Sequence, residues 1–148
     1  MADSREMRAG MIEAEIDRFI VEGQYSLAVI LSQTMLELLV EREVRGLARG
    51  LDTGSFGEAT LELLGSFNLN RRTQRFFEHS LDVRFNEVMP DELHAFLDHN
   101  RLRNRIVHEG ANAGHDEAVA SLAAVRGITG RLREIVAERT ARVAQAGE

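Results

Sequence analysis

The side chains best suited to act together on a substrate lie in one hexapeptide, Arg103-Asn104-Arg105-Ile106-Val107-His108. Histidine moves protons near neutral pH. Arginine keeps its charge and offers a planar fork to phosphate or carboxylate oxygens. Asn104 stands one turn before His108, where it can hold the imidazole in one tautomer or contact an anion itself. A second reading of His108 is a cation capping the end of its helix.

The segment that positions these residues is a helix expected over Pro90 to Glu109. Proline fits a first helical turn, Asp91 and Glu92 favour its positive end, and Gly110 stops it. Projected at the helical period, Leu93, Phe96, Leu97 and Val107 form the expected inward stripe. Asn100 and Asn104 fall within that stripe, so the stripe is expected to open onto a wet or charged site, because an unpartnered buried amide is costly. Arg103 and His108 flank it on opposite sides, about 140° apart around the axis. Leu102 and Ile106 are then expected on the solvent side, as a subunit contact.

Other chemistries find little support. The sequence has no cysteine, hence no thiolate ligand or nucleophile. His79, His94, His99 and His115 do not reproduce a metal-ligand spacing, and His108-Glu109 lacks a second histidine four residues on. No serine elbow or phosphate-binding glycine loop is present. Neither a metal nor a cofactor is expected.

Arg71, Arg72 and Arg75 form a second basic group, which with Arg101, Arg103 and Arg105 would line a positive cleft, or else be solvated helix charges. Gln33, Thr34 and Glu37 interrupt an otherwise apolar helix. A carboxylate in such a place usually needs a cation, and a pairing of Glu37 with a motif arginine is the expectation.

The whole chain of 148 residues reads as one all-helical domain. Helices are expected over Ser4 to Glu22, Gln24 to about Arg49, Glu58 to Phe67, Arg71 to Ser80, Pro90 to Glu109 and about His115 to Val143. A loop is expected over Leu51 to Gly57. Four of these helices are long and one or two short, which favours a bundle. A net charge of −6 argues against a surface that grips nucleic acid everywhere. The polar start Met1-Ala2-Asp3-Ser4, the missing cysteine and the lack of any long apolar run point to a cytoplasmic protein with no membrane contact.

The string Leu102-Arg103-Asn104-Arg105-Ile106-Val107-His108-Glu109-Gly110, late in a helix that precedes the last long one, resembles the arginine-x4-histidine motif of the HEPN family. Tyr25 to Glu43 is similar in character to that family's earlier core helix. Arg101 also stands at a spacing the family uses, but Asn104 directly after Arg103 favours the latter. The resemblance implies a helical bundle that forms a homodimer, with the motifs of both subunits meeting in a cleft. It implies metal-independent endoribonuclease activity leaving 2′,3′-cyclic phosphate ends, with Arg103 and His108 catalytic and Asn104 supporting. Arg101, Arg105, Arg71, Arg72 and Arg75 would then contact RNA, with Glu37 and Asn100 behind the catalytic groups. Members of this kind include toxins and phage-defence effectors held by an antitoxin or other regulatory protein. Some toxins are modified on a tyrosine two residues after the histidine, where this chain has Gly110. Other members are non-catalytic modules that bind RNA, a nucleotide or a protein. A purely structural helical domain is the third expectation.

Overall fold

In a computed structural model, residues 4–50 and 55–147 are described. Among them the protein is all helical: α1 Ser4–Val21, α2 Tyr25–Gly50, α3 Ser55–Leu64, α4 Arg71–Leu81, α5 Phe85–Val88, α6 Pro90–Glu109 and α7 His115–Ala146. The expected loop at Leu51 to Gly57 is shorter, because α3 already begins at Ser55. Residues 51–54 of that loop, and Met1 to Asp3, lie outside the described residues. The α5 turn, four residues long, was not expected, being too short to show a period.

Local chemistry sets the helix ends. Asn70 caps α4, its side-chain oxygen accepting from the Thr73 amide at 3.0 Å. Pro90 starts α6, and Gly110 ends it at a φ of 69°, a conformation that glycine adopts without steric cost. The Glu117 carboxylate accepts from the Gly114 amide and closes the first turn of α7.

Helix α2 packs against α1, α7, α6 and α3, and α7 packs against α6, so α6 is seated beside both α2 and α7. The apolar interior includes Ile16 of α1, Met35, Leu36 and Val40 of α2, Phe77 of α4, Phe85 of α5, Phe96 of α6, and Ile128 and Leu132 of α7. Two buried hydroxyls are returned to their own helix: Ser32 bonds the Ala28 carbonyl and Thr129 that of Val125. Across the top of α1, Glu13 pairs with Arg126, and Glu6 pairs with Arg133 at 3.2 Å and Arg42 at 3.5 Å. Beyond Val136, α7 is exposed on every side up to Ala146.

The helix α7 runs unbroken through Gly127 and Gly130, although glycine is a poor helix former. A Cβ at Gly130 would meet no atom within 4 Å. Gly130→Ala therefore removes backbone freedom from the unfolded chain without a clash, and stability should rise by about 0.5–1 kcal/mol. Thermal unfolding should show a midpoint roughly 2–4 °C higher per kcal/mol; an unchanged or lower midpoint would contradict the open space at that position.

Candidate functional site at the end of helix α6

Helix α6 is held to α2 by two polar contacts. The His99 Nε2 lies 3.1 Å from the Gln33 Oε1, and the Ala113 amide, just past the helix, donates to the Ser26 hydroxyl at 3.0 Å. Earlier residues of α2 thus face later residues of α6, and the two helices run antiparallel.

His99 is 2% exposed. The Gln33 amide nitrogen donates to the Glu37 carboxylate at 3.3 Å, so its oxygen is the end that accepts from His99. This assigns the imidazole proton to Nε2 and leaves Nδ1 as a lone pair, which receives no hydrogen bond. Burial, and secondarily the charge of Arg103, hold the His99 pKa down at about 4. The ring is neutral at pH 7.

One turn further on, Arg103 is half-buried. Its Nη1 donates to the Asn104 side-chain oxygen at 3.1 Å, and its Nε–H is enclosed without an acceptor. Among the described residues it has no carboxylate partner. Asn104 and His108 are exposed, and Asn104 bonds Arg103 rather than His108. Arg103 and His108 project about 140° apart, as the helical period requires, so one chain alone does not aim both at a single atom.

The rotation of α6 differs from the one expected. Its buried arc is Phe96, His99 and Leu102, flanked by half-buried Leu93 and Ile106 packed on the core. Leu97 and Val107, expected inside, are 38% and 47% exposed, whereas Leu102, expected on the solvent side, is only 9% exposed. Leu102, assigned to a subunit contact, is therefore buried within its own chain, and Ile106, assigned with it, is half-buried against the same core. Asn100 is half-buried and Asn104 exposed, so neither asparagine lies in the core stripe. The physical reason is that α6 lies against both α2 and α7, with the α5 turn beside it as well. The arc facing both α2 and α7 centres on His99, whose polarity is absorbed by Gln33. The signal is present in the sequence: Leu93, Phe96, His99, Leu102 and Ile106 follow one another at three- and four-residue steps, but the histidine at their centre makes this phase less apolar than the one expected.

The other candidates are scattered. Glu37 binds Gln33 and makes no ion pair with Arg103. Arg101 pairs with Asp98 at 2.9 Å, and Arg105 is exposed without a carboxylate partner among the described residues. Arg71 and Arg75 line a groove of about 850 Å³ between α4 and the Phe85 turn, while Arg72 donates to the Leu63 carbonyl. Arg101 and Arg105 line a different groove, of about 390 Å³, between α6 and α7. Among the described residues the two basic groups line different grooves.

Among the described residues no cluster of three or more His, Asp or Glu side chains could hold a metal ion. His94 and His115 are each engaged by an aspartate, Asp98 and Asp116. No helix is long and apolar enough to cross a membrane. No family model, curated protein or solved structure matches the chain.

The buried neutral state of His99 has a measurable consequence. Its folded pKa lies below the ordinary value of 6.5, so the unfolded chain takes up the proton first as pH falls. Stability contributed by the neutral ring is complete above pH 6.5 and is lost as pH falls toward about 4, at up to about 1.4 kcal/mol per pH unit from this group. Urea unfolding at pH 7, 6 and 5 should show a steeper loss for the native protein than for His99→Leu. Parallel pH profiles for the two would mean that His99 is not buried neutral.

Proposed function

We propose that the protein is a metal-independent endoribonuclease of HEPN type that works as a homodimer, with α1, α2, α6 and α7 as the four long helices of the bundle. The observation that carries this reading is the state of Arg103. It is a half-buried guanidinium with an unused Nε–H and no carboxylate partner among the described residues, steadied by Asn104 and five positions before an exposed histidine on the same helix end. A cation kept partly out of water without a counter-charge is suited to an incoming anion.

In the reaction proposed, a base takes the proton of an RNA 2′-hydroxyl and its oxygen attacks the adjacent phosphorus. The bond from phosphorus to the 5′-oxygen breaks, and that oxygen takes a proton. The products are a 2′,3′-cyclic phosphate and a 5′-hydroxyl. His108 has the chemistry of the proton carrier and Arg103 that of the stabiliser of charge on the phosphoryl oxygens. Because the two diverge within one chain, a two-fold axis beside α6 would supply both copies of the motif to one cleft. Leu97 and Val107, exposed on the flank of α6 that carries Asn100 and Asn104, replace Leu102 and Ile106 as the apolar contact for that dimer. Activity of this kind suits a toxin or phage-defence effector of the cytoplasm, restrained by an antitoxin or regulatory protein.

A second reading is a non-catalytic module that binds RNA, a nucleotide or a partner protein through the same face. It is favoured by one observation: the His108 side chain makes no hydrogen bond that would fix its tautomer.

Purified protein incubated with total and transfer RNA in EDTA should yield fragments with cyclic-phosphate ends. His108→Ala and Arg103→Ala should each lower the rate by roughly 10²–10⁴-fold while leaving the fold intact. Retained RNA binding with no cleavage by the native protein would move the assignment to the binding module.

Val107→Asp should shift the protein from dimer to monomer in sedimentation experiments, because a charge would be buried without a partner. A dimer unaffected by Val107→Asp and Leu97→Asp together would place the interface elsewhere.

A further inference from the structure

Among the described residues two enclosed side-chain atoms have no hydrogen-bond partner, the His99 Nδ1 and the Arg103 Nε. The two are complementary. The contact with Gln33 places the ring proton on Nε2, so Nδ1 is an acceptor, whereas the arginine Nε–H is a donor. Both are closed off from solvent, where an unmade hydrogen bond is most costly. The polar groups around them are already engaged. On α2 the Gln33 oxygen takes the Nε2–H and its nitrogen bonds Glu37, and on α6 the Asn104 oxygen takes the Arg103 Nη1.

The unpaired donor and acceptor also belong to neighbouring side chains. Residues four apart on a helix share a face, and helical side chains lean toward the N-terminus, so the stem of Arg103 reaches back over the ring of His99. The charge of the guanidinium is felt at that ring: after burial, it is the second cause of the lowered His99 pKa.

We infer that His99 is a positioning residue for Arg103, its Nδ1 accepting the Arg103 Nε–H once a turn about the outer torsions of the arginine brings the two atoms into bonding geometry. The helix backbone takes no part in that movement. The result is a run of hydrogen bonds donated in one direction: from Arg103 to His99, from His99 to the Gln33 oxygen, and from the Gln33 amide to the Glu37 carboxylate. Bonds in such a run polarise and strengthen one another. The carboxylate of Glu37 is thus coupled to the guanidinium through an amide and an imidazole, without occupying it. The inner edge of the guanidinium is pinned, and its outer N–H groups, with Nη1 steadied by Asn104, stay available to an anion arriving from solvent. A lysine could not serve in this way, because its ammonium has no inner donor.

Nitrogen-15 spectra of the intact protein test the contact without any substrate. Arg103→Lys keeps the charge and drops the Nε–H, and it should shift the His99 Nδ1 resonance; an unmoved resonance would overturn the inference. Position 99 allows the two ring nitrogens to be kept one at a time, since a glutamine amide reaches the place of Nε2 and an asparagine amide that of Nδ1. His99→Gln should hold the tie to Gln33 and the thermal midpoint but lose the acceptor for Arg103, so that its Nε–H exchanges with water roughly tenfold faster. On the nuclease reading, on which this consequence rests, RNA cleavage by His99→Gln should slow by roughly tenfold or more. His99→Asn should rescue both slow exchange and most of the cleavage rate, although its midpoint falls. The opposite order, with glutamine native-like in exchange and asparagine not, would make His99 a tie between helices and nothing more. Because Arg103 stands at the rim of the core, its lysine variant decides the matter even where a position-99 variant folds poorly. The exchange and resonance readouts need no RNA, so their failure removes the contact alone, whereas native protein that leaves RNA uncut removes the nuclease reading alone.

Discussion

The hydrogen bond between His99 and Gln33 sets the rotation of α6 about its own axis, and the placement of the remaining candidate residues follows from that rotation. An imidazole in an apolar interior is costly unless paired. Among the described residues Gln33 is the one polar neighbour bonded to it, at 3.1 Å. With His99 turned toward α2, Phe96 and Leu102 are carried into the core, and Arg103, one turn on, is brought to the rim beside them. Asn104 and His108 are turned outward for the same reason. A rotation of α6 by one residue, about 100°, would bury the asparagines and expose His99. The Glu37 carboxylate behind Gln33 makes that alternative less favourable, because it orients the amide with its oxygen toward the histidine.

How much of this could be read from the residues depends on what kind of signal each carried. Helix ends were legible wherever they rest on local chemistry: Pro90 and Gly110 bound α6 at the expected residues, and Asn70 starts α4 where a break was expected. The rotation of α6 was not legible from apolar spacing alone, because two phases compete. One passes through Leu93, Phe96, Leu97 and Val107, the other through Leu93, Phe96, Leu102 and Ile106. The second contains a histidine at its centre and so scores lower on hydrophobicity, although it is the one adopted. What decides between them is a long-range partner on α2, and Gln33 stands 66 positions away along the chain. The same limit explains Glu37, which was recognised as a polar group in an apolar helix but joined to an arginine instead of to the neighbouring amide.

The candidate site divides along similar lines. Arg103, Asn104 and His108 were found by type and spacing, and the arginine–asparagine contact is a matter of adjacent positions on the helix. The arrangement of Arg71 and Arg75 relative to Arg101 and Arg105 is tertiary information, and it separates two groups that charge alone would have merged.

The stretch of α7 beyond Val136 has water on every side, yet it remains helical up to Ala146. An isolated helix of that length would not persist, since starting the first turn is the unfavourable step. Here the buried part of α7 serves as a permanent nucleus, and each added residue only extends a ladder already begun. Stability along this arm must therefore decline in gradual steps toward its tip, in contrast to the all-or-none loss expected of the core. The molecule consequently joins a cooperative body to a non-cooperative spar of about 15 Å, and heat or denaturant will shorten the spar well before the body gives way.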